Sequence, residues 1–261
     1  MESIKLKNLS FSYKNHQVFN DISLSLPCCS CSIIGPSASG KTTLLKLIAG
    51  QEFGKGNIFI NAVELNENNF KLLRRYIAIV FKSDILIKER VIDELCFPLE
   101  NQNFSSKEIT RRVTTLLSFF DLLDYEYRPI NSLNYSEKLI IKILSYIIMH
   151  PKYLALDDVL CELANEFKEK LINYLKSEGI FLINVTTNME ELLLTDYVVC
   201  LYNHKIAFEG YTKKIFTEER IFKRLGLNLP FVIDLSLQLK YYGLVDRLYI
   251  NNQELVEAIW K

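Results

Sequence analysis

The feature that most constrains this chain is the segment Gly35-Pro36-Ser37-Ala38-Ser39-Gly40-Lys41-Thr42-Thr43. It fits the pattern G-x-x-x-x-G-K-[ST]. An apolar run, residues 32–34, precedes it, and residues 43–49 follow with apolar side chains at helical spacing. In such a strand, loop and helix, the loop N–H groups and the helix N-terminus both face a bound anion. The sequence therefore predicts a site for a nucleoside triphosphate.

Separate positions of this segment have separate predicted roles. Gly35 and Gly40 allow the backbone to turn tightly around phosphate oxygens. Lys41 would reach the β- and γ-phosphates, and the Thr42 hydroxyl would ligate Mg²⁺. All residues from Gly35 to Thr43 are candidate nucleotide-binding residues, and Lys41 is also a candidate catalytic residue.

Composition argues against several classes of protein. Lys+Arg and Asp+Glu are equal at 31 each, so no net charge directs the chain to nucleic acid or to an anionic membrane. We expect no nucleic-acid partner. No apolar run reaches the roughly 18 residues that span a bilayer, and residues 1–7 lack the apolar region of a signal peptide. The sequence predicts a cytosolic protein that reaches a membrane only through a partner.

The cluster Cys28-Cys29-Ser30-Cys31 has the composition of a metal site. However, no second Cys/His pair follows at zinc-finger spacing, and the cluster lies at the entry to the strand before the phosphate loop. Buried small hydrophobic residues explain it better than metal ligands do.

The patterns along the chain predict an α/β fold. Residues 4–9 and 22–26 alternate apolar and polar side chains, which indicates antiparallel N-terminal strands. Buried strands are predicted from apolar runs: a short one that ends residues 72–81, and others at 153–158, 180–185 and 197–201. Helices are predicted from apolar residues at helical spacing, and they include 136–150 and 165–177. Strands that alternate with helices favour a mostly parallel central sheet.

We predict one main domain at 1–215, which contains a helical subdomain at about 83–150. Residues 216–261 form a small C-terminal helical extension in this prediction, since Leu229-Pro230 separates short apolar stripes there. Such an extension is better suited to docking or dimerisation than to catalysis.

Three features together resemble an ATP-binding-cassette (ABC) ATPase, a P-loop NTPase: the phosphate loop, a strand ending in Leu156-Asp157-Asp158, and a helix start near Leu133. The resemblance covers the whole chain. It implies that the chain binds ATP and Mg²⁺, with Asp157 holding the metal through water and Tyr13 stacking on adenine. A core aromatic at Tyr13 and a structural acid at Asp157 remain as alternatives.

Two further segments are similar to the ATPases of energy-coupling-factor (ECF) importers of vitamins and metals. Residues 90–101 resemble the segment after their glutamine loop, and residues 227–232 with 255–258 resemble their C-terminal extension. The resemblance implies a dimer with a second ABC ATPase, identical or different. It also implies a membrane coupling protein that grips a substrate-binding membrane subunit, and a peripheral place at the cytoplasmic face of the membrane.

The family's other catalytic positions are altered. The glutamine that senses the γ-phosphate is matched by Lys82, and the catalytic glutamate by Asp158. The switch histidine is matched by Thr187, and the aspartate of the loop across the dimer by Ala164. The signature, L-S-G-G-Q in the family, is Leu133-Asn134-Tyr135-Ser136-Glu137, without either glycine.

These replacements predict that binding is kept and hydrolysis weakened. A protonated Lys82 can meet phosphate as a point charge but cannot ligate a metal. Asp158 is one methylene shorter than glutamate, and a base displaced by about 1 Å can lose roughly 10²-fold in rate. We expect an ATP-binding subunit of an ABC importer, of ECF type, whose hydrolysis is weak or supplied by a partner ATPase.

Two other hypotheses remain. One is a slow but competent ATPase in which Asp158 is the catalytic base. The other is a soluble ABC-fold regulator or structural subunit that binds ATP without taking part in the uptake of a small solute.

Overall fold

The computed structural model describes residues 4–14, 16–73, 75–83 and 85–260. Strands and helices are both present along these residues, as predicted for an α/β fold. The strands are β1 Ile4–Tyr13, β2 His16–Leu26, β3 Cys31–Ile34, β4 Lys55–Ile60, β5 Val63–Glu64, β6 Ile77–Phe81, β7 Tyr153–Asp157, β8 Phe181–Val185, β9 Tyr197–Tyr202 and β10 Lys205–Tyr211. The helices are α1 Lys41–Ile48, α2 Phe70–Leu73, α3 Val91–Glu100, α4 Ser106–Phe119, α5 Tyr135–Ile147, α6 Asn165–Ser177, α7 Thr212–Ile215, α8 Glu219–Arg224, α9 Phe231–Tyr241 and α10 Asn252–Ile259.

The chain divides into two compact units. The first unit contains residues 1–47, 52–64 and 184–261, and the second unit contains residues 48–51 and 65–183. The phosphate loop belongs to the first unit. The positions matched to the family's glutamine, signature and carboxylates belong to the second.

An antiparallel sheet of the first unit has the strand order β2-β1-β4-β5. Ile4 and Leu6 of β1 are buried while Lys5 between them is exposed, because successive side chains point to opposite faces. The alternation breaks at Asn8, which has a φ of +48° at a shift in the register with β2. The predicted antiparallel N-terminal strands are confirmed.

The predicted mostly parallel sheet is also confirmed. In the first unit β3 pairs in parallel with β9, with Ile34 opposite Cys200, and β10 then pairs antiparallel with β9. In the second unit β6 pairs in parallel with β7, with Phe81 opposite Asp157. All residues of β3 and β8 except Phe181 are buried, which explains why these strands are mostly apolar in the sequence, with Ser32 and Asn184 as buried polar exceptions.

The C-terminal helices share a hydrophobic core with strands of the first unit. Phe216, Phe222 and Val232 belong to the same buried cluster as Ile34 of β3 and Val198 of β9. The predicted boundary between residues 215 and 216 remains a prediction. Within the described ranges, no helix combines the length and the apolar character that crossing a bilayer requires.

Candidate functional site

The predicted phosphate loop connects β3 to α1 in the first unit. Gly35 has a φ of +148°, and a Cβ there would lie 2.3 Å from the backbone oxygen of Leu201. Gly40 has a φ of +96°, and a Cβ there would lie 2.7 Å from Cγ1 of Val18. Both positions therefore require glycine, which lets the loop backbone pass close to β2 and β9.

The Lys41 side chain lies across this loop. Its Nζ donates hydrogen bonds to the backbone oxygens of Gly35 and Pro36, each over 2.9 Å, and the residue is only 7% exposed. Since Lys41 is also the first residue of α1, its ammonium adds to the partial positive charge of the helix N-terminus. The loop thus places a cation and a helix N-terminus together.

The loop also has the polar groups that a polyphosphate requires. The Ser39 Oγ is buried and has no hydrogen-bond partner in the part of the chain that the structure describes. An anion at the loop would supply an acceptor for this hydroxyl. Together with Lys41, this makes the loop a good chemical match for the phosphates of a nucleotide.

The two predicted metal ligands belong to different units. Thr42 is an exposed residue in the first turn of α1, and Asp157 is the half-buried last residue of β7. A hydroxyl and a carboxylate are oxygen donors, the type that Mg²⁺ takes. Each residue by itself therefore carries a donor of the type that Mg²⁺ takes.

Tyr13, the predicted adenine contact, is the last residue of β1. Its ring meets Phe11 edge to face, with the ring centroids 4.8 Å apart, and 38% of the residue is exposed. Tyr13 is therefore not a core aromatic, and an exposed ring at a strand end can stack on a base.

In the second unit the positions matched to the two carboxylates follow one another at the end of β7. Asp158 has a φ of +53°, in the left-handed region that Asp adopts more readily than most residues. The pairing of Phe81 with Asp157 brings Lys82, the next residue, to the same end of the strands. Lys82 and the segment after β7 are therefore neighbours.

Lys82 forms an ion pair that the sequence did not predict. Its Nζ lies 2.7 Å from Oε1 of Glu162 and 3.5 Å from Sγ of Cys161. The hydrogen bond with Glu162 raises the pKa of Lys82 above its usual range and lowers the pKa of Glu162. Both groups are therefore charged at neutral pH. The two residues are 80 positions apart in the sequence. Their contact could have been predicted only from the knowledge that β6 pairs with β7.

The segment matched to the signature begins α5, and its own side chains cap the helix. Asn134 Oδ1 accepts from the Glu137 backbone N–H over 3.0 Å, and Glu137 Oε2 accepts from the Asn134 backbone N–H over 2.7 Å. The Tyr125 hydroxyl donates to Glu137 Oε1 over 2.7 Å, which is the main reason that the pKa of Glu137 is lowered. A carboxylate of the chain itself thus occupies the anion-binding end of this helix.

The remaining altered positions are exposed. Thr187 lies two residues after β8, and Ala164 is the N-cap of α6, where its side chain makes no capping hydrogen bond. Tyr135 of the signature is 52% exposed. These side chains put a hydroxyl, a methyl group and a phenol ring at positions where the family has a histidine, an aspartate and a glycine.

A groove of about 350 Å³ lies beside Lys82 in the second unit. Its apolar lining includes Ile85, Leu86, Ile130 and Leu139. Ile85 is 81% exposed at its rim. The described charged residues in its lining are lysines: Lys82, Lys138 and Lys142.

A buried carboxylate fixes the segment at the rim of this groove. Glu94 of α3 is 7% exposed, and its Oε2 accepts from the backbone N–H groups of Ile87 and Lys88, each over 2.8 Å. Two charge-assisted hydrogen bonds to one oxygen hold these backbone positions in place. Glu94 lies in the 90–101 segment that is similar to ECF ATPases.

The cysteine cluster is only partly buried. Cys31 is buried, as predicted, whereas Cys28 and Cys29 are half-buried because they lie in the turn between β2 and β3. Burial raises the pKa of the Cys29 thiol to about 11. Over the described residues, no group of three or more His, Cys, Asp and Glu side chains has the arrangement of a metal site, and the cysteine cluster forms none.

Comparisons with known proteins agree with this geometry. Residues 19–160 match the family model described as ABC transporter. The chain is 30% identical over 270 residues to the energy-coupling factor transporter ATP-binding protein EcfA1 of Streptococcus thermophilus, covering 99% of this chain and 98% of that protein. It is 32% identical over 263 residues to EcfA1 of Staphylococcus aureus strain N315, covering 94% and 97%.

Solved structures show the same fold. One is cbiO1 from Clostridium perfringens, described as part of the ABC transporter complex cbiONQ, with a TM-score of 0.76 at 23% identity over 89% of this chain and 97% of that one. Another is a dimeric ATP-binding cassette in a post-hydrolysis state with ADP and Pi, with a TM-score of 0.71 at 21% identity over 80% and 98%.

Proposed function

The chain belongs to the family of ABC transporter ATP-binding proteins, and from this premise we propose that it is the ATP-binding subunit of an ECF-type importer. In this role it binds ATP with Mg²⁺ and couples binding to the uptake of a small solute. Hydrolysis is weak in this subunit or supplied by a partner ATPase. The observation that carries the proposal is the phosphate loop, where Gly35, Gly40 and Lys41 keep the geometry of a nucleotide site while the catalytic positions differ.

The loop would hold the triphosphate through its backbone N–H groups, Lys41 and the N-terminus of α1. Lys41 now donates to two neutral carbonyl oxygens. Exchanging them for phosphate oxygens replaces neutral acceptors by charged ones, and hydrogen bonds of that kind are stronger. Thr42 and Asp157 would hold Mg²⁺, which neutralises charge on the phosphates when bound.

Weak hydrolysis follows from the side chains that replace the catalytic ones. Asp158 carries a shorter carboxylate than glutamate, and Thr187 cannot place a cation against the γ-phosphate. At the signature, Glu137 holds a negative charge at the helix end that would otherwise face phosphate. A second, complete ATPase subunit would supply the turnover.

The groove beside Lys82 supports the partnership with a membrane coupling protein. A concave apolar surface with an exposed Ile85 suits the apolar face of an amphipathic helix. Exposed aromatic residues of the C-terminal extension, Tyr241 at 85% and Trp260 at 84%, offer a surface to a second ATPase subunit. The chain would then be peripheral at the cytoplasmic face of the membrane, bound through partners.

A soluble ABC-fold regulator that binds ATP is the alternative function. Both functions need the phosphate loop, so ATP binding cannot separate them. The exposed groove favours transport, because a regulator without a membrane partner has no need of it.

The experiment that tests the proposal combines ATP affinity with steady-state release of phosphate. Lys41→Ala should weaken ATP binding by about 10- to 100-fold, as expected for the loss of a charge-assisted hydrogen bond. Lys46→Ala, on the same helix, is the control and should bind as tightly as the unchanged chain. Equal affinity in the Lys41 variant would contradict the nucleotide site.

Phosphate release tests the second half of the proposal. The unchanged chain should release phosphate at most slightly faster than the Lys41→Ala variant. Turnover well above this blank would mean that Asp158 suffices as a base and that the subunit is a competent ATPase.

A further inference from the structure

Two of the three histidines of the chain lie beside each other in the first unit. His16 is the first residue of β2, and His204 lies in the turn between β9 and β10. Their ring centroids are 6.3 Å apart, with the ring planes at 73° to each other. Both residues are exposed, so ions in solution can reach them. The fold thus brings together two imidazoles from distant parts of the sequence.

The backbone holds the two histidines in this arrangement. The Asn20 N–H of β2 donates to the His204 oxygen over 3.0 Å and so joins the β9–β10 turn to the neighbouring hairpin. His204 has a φ of +64°, as in the tight turns that connect antiparallel strands. In the other hairpin His16 pairs with Tyr13, so that turn is short as well. Both rings are therefore attached to backbone that neighbouring strands fix in place.

The His204 ring has the tautomer that leaves its outer nitrogen available to a metal. Its Nδ1 lies 3.2 Å from the backbone oxygen of Val18. Because a carbonyl oxygen only accepts hydrogen bonds, Nδ1 carries the proton, and in the neutral ring the free lone pair is then on Nε2. Metal-binding histidines in proteins donate their second ring N–H in the same way, which fixes the tautomer and the orientation of the ring.

The separation of the two rings is compatible with one shared metal ion. Bonds from a metal to a His nitrogen are about 2.0–2.1 Å long, so each ring centroid lies roughly 3.2 Å from the metal, and two centroids lie roughly 5–6.4 Å apart. The observed separation of 6.3 Å is at the upper end of this range. Imidazole nitrogen suits Zn²⁺, Ni²⁺ and Cu²⁺, whereas Mg²⁺ takes oxygen ligands. The pair therefore selects a different class of metal from the one that ATP brings.

We propose that His16 and His204 form a two-histidine site for a divalent transition-metal ion of the Zn²⁺ or Ni²⁺ type. Water fills the remaining coordination positions, because both histidines are exposed. The site binds less tightly than a closed site of four protein ligands, since it has two ligands and Lys14 and Lys205 lie near them in the sequence. A bound ion ties the turn after Tyr13 to the β9–β10 turn.

The test is titration calorimetry of the full chain, without a histidine tag, with Ni²⁺ alone. Loss of a metal ligand should weaken binding at least as much as loss of a group that orients a ligand, which costs about 10- to 100-fold. His16→Gln and His204→Gln should therefore each weaken Ni²⁺ binding by about tenfold or more. The matched control is His150→Gln, which removes the third histidine, a partner of Glu178 over 3.2 Å, and should leave the affinity for Ni²⁺ unchanged.

Hydrogen exchange tests whether one ion bridges the two turns. Zn²⁺ should slow amide exchange in both hairpins of the unchanged chain and in neither hairpin of the His16 and His204 variants. The proposal is overturned if the unchanged chain binds no Ni²⁺, if both of these variants bind it as tightly as the unchanged chain, or if His150→Gln weakens binding as much as they do. It is also overturned if each variant only lowers the number of bound ions, because each histidine would then bind its own ion. None of these outcomes bears on ATP binding, so the proposed function is tested separately.

Discussion

The Tyr125 hydroxyl donates to the Glu137 carboxylate over 2.7 Å and thereby ties the turn after α4 to the first turn of α5. Glu137 already accepts from the backbone N–H of Asn134, so both of its oxygens are used. In the family this helix end meets a phosphate. Here the chain supplies the anion itself, and the negative charge stabilises the helix instead of a ligand.

The charge of Glu137 should therefore contribute to stability in a pH-dependent way. The pKa of Glu137 is lowered in the folded chain, so its contribution is complete above the unfolded pKa of about 4.3 and is lost as pH falls through the lower folded pKa. At neutral pH, Glu137→Gln should lower the free energy of unfolding by about 0.5–1 kcal/mol. Urea unfolding at a series of pH values should show this difference shrinking below about pH 4.

Two variants serve as references for this measurement. Tyr125→Phe removes the largest cause of the lowered pKa of Glu137. Like Glu137→Gln, it should make the free energy of unfolding depend less on pH. Glu169→Gln, on the exposed face of α6, should have little effect at any pH. The role of the charge would be contradicted if the difference in the free energy of unfolding between Glu137→Gln and the unchanged chain stayed constant with pH.

Gly35 should be irreplaceable for a steric reason. In Gly35→Ala the new Cβ would lie 2.3 Å from the Leu201 oxygen, a backbone atom that cannot rotate away. We expect a loss of about 1–3 kcal/mol in the free energy of unfolding, together with weaker ATP binding. Gly179→Ala is the matched control, since its φ is +66° and no atom lies within 4 Å of the added Cβ. If both variants lose the same free energy of unfolding and Gly35→Ala binds ATP normally, the close approach of residue 35 to the Leu201 oxygen matters neither for stability nor for ATP binding.

Glu94 should control the rim of the groove. Glu94→Ala removes the acceptor of the Ile87 and Lys88 N–H groups. Losing these two charge-assisted hydrogen bonds should lower the free energy of unfolding by about 1–3 kcal/mol. Hydrogen exchange of these two amides should become faster, while exchange in β7 stays unchanged. Glu89→Ala, an exposed residue of the same segment, is the control. Unchanged protection at Ile87 and Lys88 would show that Glu94 does not hold them.

The groove itself can be tested in a complex of the chain with the membrane subunits that the proposed function assigns to it. Ile85→Asn should reduce the recovery of the chain with those subunits from detergent by about fivefold, because an exposed aliphatic contact is lost. ATP affinity should not change. Leu72→Asn, which alters an α2 residue that is 59% exposed and absent from the groove lining, should leave recovery unchanged. Equal recovery of the Ile85 variant would place the partner elsewhere.

Local patterns were sufficient for much of the fold, including the strand and the helix on either side of residues 35–40. The helix Asn165–Ser177 has the predicted bounds, because its helical stripe is clear. The strand predicted at 153–158 begins at Tyr153 but ends at Asp157, because Asp158 has a φ of +53°. The helix predicted at 136–150 lies at Tyr135–Ile147 instead. It begins earlier because Asn134 caps it, and its last turn ends before His150, whose φ is +49°.

Other elements depend on contacts that a sequence does not display. The strand Lys205–Tyr211 was not predicted, although its burial alternates along the chain. Phe208 is its one buried residue, and the apolar Ala207 and Tyr211 on the exposed face obscure the alternation in the sequence. The bounds of α3 were not predicted either, because Pro98 lies inside it and Arg90 provides no side-chain cap. In the candidate site, Lys82 was identified, but Glu162 was not. An ion pair between distant residues is set by which strands become neighbours.

The shared core of the C-terminal extension has a thermodynamic consequence for the nucleotide site. Ile34, the residue directly before Gly35, is buried in one cluster with Phe216, Phe222 and Val232. Unfolding of the extension would expose Ile34 to water and loosen the strand from which the phosphate loop begins. Nucleotide binding and folding of the C-terminal extension are therefore linked equilibria. The folded extension would favour nucleotide binding, and a bound nucleotide would protect residues 216–255 from proteolysis. The same coupling free energy sets the size of both effects.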